Sequence, residues 1–314
     1  MKKVKKILKW TALTFLLIIS AITVITASRQ NLQFDAPYPS VKASADTAVI
    51  ARGRHLVYSV AHCADCHSTK NADSILKTGQ DVPLSGGVVF DLPVGKIYSR
   101  NITSDKATGI GNYSDAEIAR ALYYGVHPDG TAVLDFMPFH NVSEEDMTAI
   151  ISYLRTQKPV KNKVPKNDFN AIGKVVKAFM VKPIGPNGEI VKSVKPDTTA
   201  EYGKYLVTNV ANCGGCHTQR NLAGEYTGEF LAGGNPMETP GKQTLTPPNI
   251  STDSSSRIFG WTLKNFTDRV RMGKIIPHSH MPWNSFKHMT DDELKAIYKF
   301  LKTVKPVKNK TQVG

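Results

Sequence analysis

The stretch of sequence that decides the fold is CADCH at residues 63–67, which returns as CGGCH at residues 213–217. Both strings are C-x-x-C-H, the attachment pattern of c-type haem, in which two thiols three positions apart can each form a thioether with a haem vinyl group. The histidine that follows then faces the iron from the same side. Zinc would need a second C-x-x-C about 15–20 residues away, whereas these pairs lie 150 residues apart. Because the strings use all four cysteines, the sequence predicts two covalently bound haem c groups.

The segments around the two strings repeat in the same order. The repeated pairs include GRHLV at 53–57 with GKYLV at 203–207, NITSD at 101–105 with NISTD at 249–253, and KPVKNK at both 158–163 and 305–310. Ordered matches of this kind indicate a duplication with small loop insertions. We expect two homologous domains at residues 46–160 and 198–308, joined by a basic linker at 161–197.

The pattern of apolar residues predicts helices before and after each string. Residues 47–60 and 199–210 each carry an apolar stripe at helical spacing. Ser114 with Glu117 and Thr290 with Glu293 have the spacing of helix-starting capping boxes. Sustained alternation of apolar and polar residues is absent, so the sequence predicts an all-α fold with long loops and at most short hairpins. Loops of this length in a compact domain usually wrap something, and the C-x-x-C-H strings indicate haem.

Two loop methionines are the candidates for the sixth iron ligands. Met137 and Met281 are the methionines that occupy equivalent positions in the repeat, and a proline follows each of them. We therefore expect His67 and Met137 to bind one iron, and His217 and Met281 to bind the other. The alternative is that the two methionines fill gaps in the core.

Other residues near these loops are weaker candidates. Met147 lies on the apolar stripe of a predicted helix, so we expect it in the core. The histidines His140, His278 and His280 have no common equivalent between the halves, so we expect them at the surface or beside the ligands. Three further side chains are candidates to bind a haem propionate or to steady the ligand loop, with a solvated loop as the alternative: Arg100, Asn101 and Asn249.

The positive charge of the chain is concentrated in two segments. The formal net charge is +14, from 40 basic and 26 acidic residues. Residues 1–9 contain five lysines and no acidic residue, and residues 155–196 contain ten basic residues against two acidic ones. The rest of the chain is nearly neutral, so we expect no nucleic-acid partner. The basic linker is either simply solvated or docks an acidic partner or anionic lipid.

The basic N-terminus precedes an uncharged run from Trp10 to Ala27. These 18 residues are at the lower limit for a membrane-spanning helix. A cleaved secretory signal is the alternative, but cleavage after Ala27 would put Ile25 at the −3 position, where a small residue is needed. We expect residues 1–27 to be a single-pass anchor with the haem domains on the periplasmic side. Residues 28–45 are expected to be a tether.

Several longer stretches are similar to a known family. GRHLVYSVAHCADCHS at 53–68, NITSDKATGIGNYSDAEIARALYYGV at 101–126 and FMPFHNVSEEDMTAIISYL at 136–154 resemble the multihaem cytochrome c subunits of membrane-bound alcohol, aldehyde and gluconate dehydrogenases. The resemblance implies two tandem cytochrome c domains. Those subunits usually carry three haems, whereas this sequence contains two C-x-x-C-H strings. The residues that the resemblance assigns to haem are Cys63, Cys66, His67 and Met137, then Cys213, Cys216, His217 and Met281.

These features predict an electron carrier and not an enzyme. A haem c closed by histidine and methionine has a raised potential and no open position for a substrate. We expect electrons to pass from a dehydrogenase or quinol-linked donor to a terminal oxidase or soluble cytochrome. The alternative is a dihaem cytochrome c peroxidase, which would need one haem with an openable distal side and an acid–base group above it.

Overall fold

The structure is a computed structural model that describes residues 2–68, 72–137, 139–221, 224–238 and 244–309. The helices are α1 Lys2–Ser28, α2 Thr47–His55, α3 Cys63–His67, α4 Ala72–Leu76, α5 Asp115–Tyr124, α6 Glu144–Thr156, α7 Ala171–Phe179, α8 Ala200–Tyr205, α9 Cys213–His217, α10 Leu263–Arg271, α11 Trp283–Phe286 and α12 Asp291–Leu301. Two π-helical segments follow α2 and α8, at Leu56–Val60 and Leu206–Val210. The strands are β1 Val89–Leu92, β2 Gly95–Tyr98, β3 Asp168–Phe169, β4 Met237–Glu238 and β5 Thr244–Leu245. The chain is therefore mostly helical, as its sequence predicts.

The same order of elements occurs in both halves of the chain. In each half a helix runs into a π-helical segment, and a five-residue helix that carries C-x-x-C-H follows. The π segments end with bonds between residues five apart, from Ala61 N to Leu56 O at 2.8 Å and from Ala211 N to Leu206 O at 2.7 Å. Each of the predicted helices at 47–60 and 199–210 thus begins as an α-helix and ends as a five-residue π-helix. The wider π turn directly precedes the candidate site in both halves, a position that π segments often take.

Helix starts follow the predicted capping residues. Ser114 and Glu117 form a complete capping box at the start of α5. Thr290 and Glu293 do the same at the start of α12. Each box satisfies backbone N–H groups that the first helical turn leaves without an intrahelical partner. Both predicted helix starts are confirmed.

Close helix packing explains the glycine that opens the first repeated motif in each half. α2 crosses α6 at Gly53, where a Cβ atom would lie 1.8 Å from the carbonyl oxygen of Ala149. α8 crosses α12 at Gly203, where a Cβ atom would lie 1.9 Å from the carbonyl oxygen of Ala296. Only glycine allows the backbones to approach this closely. The crossings bring each N-terminal helix against the last helix of its own half.

The core lies along these crossings. Leu56, Val57, Leu206 and Val207 are fully buried, and they come from the leucine–valine pairs of the repeat. Met147 on α6 is also fully buried, so its predicted place in the core is confirmed.

Two small antiparallel sheets occur in the part of the chain that the structure describes, so the fold is mostly helical and not purely α. One sheet has the order β1-β2-β3, and the other pairs β4 with β5. β3 and α7 lie within residues 161–197, where the sequence pattern predicts only a linker. A signal for α7 is present in the sequence: Asn170 caps it by accepting a bond from Gly173 N at 2.9 Å, and apolar residues recur at helical spacing after it.

Residues 28–45 pack against the first half of the chain. They contain no helix or strand from residue 32 onward, but Phe34 N donates to Gly130 O at 2.8 Å. The guanidinium of Arg120 also donates to the carbonyl oxygens of Ala36 and Phe34, at 3.0 and 3.2 Å. The segment predicted as a tether is therefore held along its length.

The N-terminal helix α1 stands apart from the core. It has 27 residues and is, among the described residues, the one helix long and apolar enough to cross a membrane. Nearly all its side chains are exposed, and Thr26 near its C-terminal end is buried. Such a helix is consistent with a membrane anchor or with a signal sequence.

Candidate haem sites

Each C-x-x-C-H string forms a short helix that begins at a left-handed residue. His62 precedes α3 with φ 41°, and Asn212 precedes α9 with φ 50°. Asparagine is one of the residues that adopt this conformation most readily, and the Asn212 side chain also accepts a bond from Gly215 N at 3.1 Å. The sharp turn ends the π segment and places both cysteines and the histidine on one helical turn.

The two site histidines are oriented in the same way. His67 and His217 are buried, and each donates from Nδ1 to a backbone carbonyl at 2.7 Å, of Arg100 and of Pro248 respectively. Burial lowers the pKa of both imidazoles, with the carbonyl hydrogen bond acting in the opposite direction. A neutral ring held through Nδ1 keeps Nε2 available as a metal ligand, which is how ligating histidines are usually oriented.

The thiols beside these histidines are not activated. Burial raises the pKa of Cys63, Cys66 and Cys213 to about 12, and it raises that of Cys216 as well. Reactive thiols of redox C-x-x-C motifs have lowered pKa values instead. The protein environment of these cysteines is therefore unlike that of a redox dithiol.

The two candidate methionines have matching backbones. Met137 lies in the loop between α5 and α6, and Met281 lies in the loop between α10 and α11. Both are partly buried against the hydrophobic core. The carbonyl of each accepts a bond from the residue two positions on, at 2.8 Å from Phe139 N and 2.7 Å from Trp283 N. Pro138, which follows Met137 in the sequence, lies outside the described residues.

The three other histidines near the methionine loops differ from His67 and His217 in their surroundings. His140 is buried with both ring nitrogens in hydrogen-bonding distance of oxygens, Tyr123 O at 2.8 Å and Asp135 Oδ1 at 3.2 Å. His278 and His280 are exposed. His140 is also held through Nδ1 by a carbonyl, but its Nε2 is already engaged by Asp135.

The asparagines of the N-I-T and N-I-S motifs join distant segments of their own halves. Asn101 and Asn249 are buried, and the amide of each donates at 2.8 Å to a carbonyl of the later K-P-V motif, that of Val160 and that of Val307. The asparagines of the full K-P-V-K-N-K segments act in the same way. Asn162 donates to Ser85 O and Asn309 donates to Ala232 O, both at 2.8 Å. These repeated motifs therefore close the loops that surround each site.

Each site also contacts the opposite half of the chain. No pattern in the sequence predicts these contacts. Ser285 in α11, four residues after Met281, donates to Asp65 inside the first C-x-x-C-H string. Phe286 packs against the ring of His62, with the ring centres 5.3 Å apart. On the other side, Asn209 donates to Asn141 O at 3.0 Å. The segment that follows each candidate methionine thus packs against the residues around the other C-x-x-C-H string.

A buried polar cluster joins the two halves at a second place. Asp146 and Glu293 occupy the third position of α6 and of α12. Tyr205 donates to Asp146 at 2.8 Å, and its equivalent in the first half, His55, bonds Glu293 at 2.8 Å. Arg52 bonds both carboxylates, at 2.9 Å to Asp146 and 3.3 Å to Glu293. The two halves therefore meet in a nearly symmetric arrangement around one arginine.

Comparison with known proteins identifies a cytochrome c domain and related cytochrome subunits. Residues 200–305 match the family model described as Cytochrome c. The chain is 29% identical over 296 residues to the fructose dehydrogenase cytochrome subunit of Gluconobacter japonicus, covering 90% of this chain and 58% of that protein. It is 30% identical over 289 residues to the cytochrome c subunit of the quinone alcohol dehydrogenase of Gluconobacter oxydans, covering 86% of this chain and 58% of that protein.

A shorter relative is covered more completely. The chain is 25% identical over 272 residues to a diheme cytochrome c-type protein of Cereibacter sphaeroides, covering 82% of this chain and 86% of that protein. The chain thus spans slightly more than half the length of the dehydrogenase subunits that it matches. It contains a cytochrome c domain, which implies covalent haem c, and it is homologous to the cytochrome c subunits of dehydrogenases.

Proposed function

We propose that this chain is a membrane-anchored dihaem cytochrome c that carries electrons and does not itself turn over a substrate. Its two tandem cytochrome c domains are residues 46–160 and 198–308. The observation that carries the proposal is the matching orientation of two buried histidines, each directly after a C-x-x-C and each held through Nδ1 by a carbonyl at 2.7 Å. The same arrangement at both sites supports two haems and not one.

The proposed ligand sets follow from the repeat. Cys63 and Cys66 attach the first haem, and Cys213 and Cys216 attach the second. The axial residues are His67 with Met137, and His217 with Met281. Haem c supplies a one-electron centre, and methionine as the second axial ligand raises its potential. The protein contributes the fixed imidazoles, the partly buried methionine loops and the asparagine bonds that close the loops around each site.

The partners that we propose are redox proteins. The names of the relatives, cytochrome subunits of fructose dehydrogenase and of quinone alcohol dehydrogenase, support a dehydrogenase or quinol-linked donor. The acceptor would be a terminal oxidase or a soluble cytochrome. In this proposal α1 remains uncleaved and anchors the chain, with the haem domains on the periplasmic side. Its length and apolar composition support this placement.

The contacts between the halves support electron exchange within the chain. Ser285 and Phe286 follow Met281 and touch Asp65 and His62, which lie in and beside the first C-x-x-C-H string. Direct side-chain contacts therefore connect the segments around the two sites. This arrangement favours a relay over two independent centres.

The first test of the proposal is the number of attached haems. The intact mass of the purified protein should exceed that of the apoprotein by two haems. Cys63→Ala with Cys66→Ala should remove one haem, and Cys213→Ala with Cys216→Ala should remove the other. A wild-type mass with a single haem would contradict the dihaem assignment.

The second test separates a carrier from a peroxidase. The reduced protein should be oxidised rapidly by a soluble cytochrome c or an oxidase, and hydrogen peroxide should be reduced negligibly. Rapid, saturable peroxide reduction in which one haem becomes high-spin would replace the carrier proposal with a dihaem peroxidase.

A further inference from the structure

Helix α7 presents its apolar face outward. Its small residues face the protein: Gly173 lies against the backbone of Val94, and Ala178 is 2% exposed. Ile172, Val175 and Phe179 recur at helical spacing on one face and are 62%, 42% and 43% exposed. An ordinary surface helix buries this apolar stripe and exposes its polar side. The reversed arrangement indicates that something apolar covers the outer face of α7.

The end of α1 lies directly beside this helix. Arg29 Nε donates to Ala178 O at 2.9 Å, and Gln30 Nε2 donates to Lys174 O at 2.8 Å. The Arg29 guanidinium also lies 5.5 Å from the centre of the Phe179 ring. The two helices are therefore joined where the apolar part of α1 ends.

The length of the apolar run sets the depth of that junction. Its 18 residues end at Ala27. At a rise of about 1.5 Å per residue they extend about 27 Å, close to the roughly 30 Å thickness of a bilayer hydrocarbon core. Arg29, which bonds α7, comes two residues after the run. A membrane crossed by α1 would therefore have its surface at the level of α7.

The charge around α7 fits an anionic surface. Residues 161–184 contain six lysines and one acidic residue. Lys174 on α7 and Lys182 just after it are exposed. Lysines beside an apolar helix face are typical of helices that lie in the membrane interface, where they attract anionic headgroups.

We propose that α7 lies in the outer surface of the membrane that α1 crosses, with Ile172, Val175 and Phe179 inserted at the boundary between headgroups and acyl chains. The inference rests on the proposed anchoring by α1 and extends it. Anchoring by α1 alone would hold the haem domains at a single point of the membrane. A second contact through α7 fixes which side of these domains faces the lipid and which side faces soluble partners.

The test uses the full-length holoprotein in vesicles of phosphatidylglycerol and phosphatidylcholine. A nitroxide is attached at Val175→Cys, and the control carries it at Phe259→Cys, where the native side chain is 58% exposed and lies in the second half. We expect the label at 175 to be more accessible to oxygen than to a water-soluble nickel chelate, and the label at 259 to show the reverse. Equal exposure of both labels to the nickel chelate would overturn the proposal. Dipolar broadening between labels at 175 would also overturn it, because a second copy of the chain would then cover this face.

A second variant checks that insertion depends on the apolar face. Adding Ile172→Asp and Phe179→Asp to the labelled protein should move the label at 175 into water. The visible haem spectrum should not change, because both native side chains are exposed. A label that stays in lipid after both substitutions would contradict the role of these residues.

Failure of the anchor can be distinguished from failure of this inference. The intact mass shows whether residues 1–27 remain on the purified protein. If they are cleaved, the anchoring proposal fails, and the processed labelled protein is mixed with the same vesicles. Entry of the label at 175 into lipid would then support the α7 surface without α1, and a label that remains in water would overturn it.

Discussion

Glu293 both caps helix α12 and bonds residues of the first half of the chain. Its carboxylate accepts from Thr290 N at 2.9 Å as part of the cap of α12. It also bonds His55 and Arg52 of the first half. Burial alone would raise the pKa of Glu293, but the hydrogen bond from His55, the charge of Arg52 and the backbone N–H of Thr290 lower it overall. The charged form is therefore the one that the folded state stabilises.

We expect Glu293→Gln to lower the free energy of unfolding by about 2 kcal/mol at pH 7, the typical value of a hydrogen bond to a charged group. Because the folded pKa of Glu293 lies below its ordinary value of 4.5, this contribution is complete above about pH 4.5 and is lost as the pH falls through the folded pKa. The difference between variant and wild type should therefore shrink in acid. Denaturant unfolding between pH 3 and pH 7, measured at about unit intervals, checks this.

The control for this variant is Glu117→Gln. Glu117 occupies the same capping-box position at the start of α5 and is only partly buried. It has no ion pair with the other half among the described contacts. A destabilisation by Glu117→Gln as large as that by Glu293→Gln would mean that the cap, and not the contact between halves, accounts for the effect.

At the same scale, the proposed ligands Met137 and Met281 have a spectroscopic test. Met137→Ala and Met281→Ala should each remove about half of the weak near-infrared band that arises from sulfur-to-iron charge transfer, and each should lower the potential of one haem. Absorption of the oxidised protein and a redox titration provide the measurements. The controls are Met180→Ala and Met272→Ala, whose native side chains are 50% and 59% exposed. Retention of the full band in both ligand variants would show that residues other than Met137 and Met281 are the sixth iron ligands.

Among the elements, the two glycine crossings are the most sensitive to substitution. A Cβ at Gly53 or Gly203 would lie within 2 Å of a carbonyl oxygen of the partner helix, so α2 and α6, or α8 and α12, would have to separate. We expect Gly53→Ala and Gly203→Ala each to destabilise the protein by about 2–3 kcal/mol, the upper part of the usual range for overpacking, because the clash is with backbone. This loss exceeds the gain in helix propensity of about 1 kcal/mol.

Denaturant unfolding followed at the haem Soret band measures this destabilisation. Gly185→Ala is the control, because its Cβ would lie 3.5 Å from the ring of Tyr124, an ordinary contact. Wild-type stability of both crossing variants would show that the helices are not packed this closely.

On the scale of the whole molecule, the halves should open together. Arg52 bonds carboxylates of both halves, and the side chains of Asp146 and Glu293 are at most 9% exposed. Removing Arg52 would leave Asp146 without its arginine and Glu293 with His55 as its one charged partner among the described residues, and breaking buried pairs is costly. We therefore expect the amides of α6 and α12 to exchange through one common opening in the wild type, and through separate openings in Arg52→Ala.

Hydrogen exchange followed by mass spectrometry measures the two helices separately. Arg54→Ala is the matched control, since Arg54 pairs with Asp81 of its own half and is largely exposed. Different opening free energies for α6 and α12 in the wild-type protein would argue against a coupled molecule.

The sequence by itself determined those features that depend on residues only a few positions apart. The C-x-x-C-H strings, the repeat, the capping boxes at Ser114 and Thr290 and the apolar run of α1 all involve residues a few positions apart. Spacing of this kind fixes which side chains share one helical turn or one helix face. The mostly helical fold, the cytochrome c domain and the resemblance to dehydrogenase subunits could be predicted on this basis. The assignment of individual iron ligands stays a prediction.

The tertiary structure alone decided how distant segments meet. Arg52 and Glu293 are 241 residues apart, and no spacing in the sequence marks them as partners. The sequence marks Asn101 and Asn249 as candidates to bind a haem propionate or to steady the ligand loop, but only folding shows that they are buried against the K-P-V segments. The apolar stripe of α7 could be read from the sequence, but its outward direction depends on Gly173 and Ala178 packing inward beside the end of α1. Periodicity shows that a helix has an apolar face, whereas only packing against the rest of the chain determines where that face points.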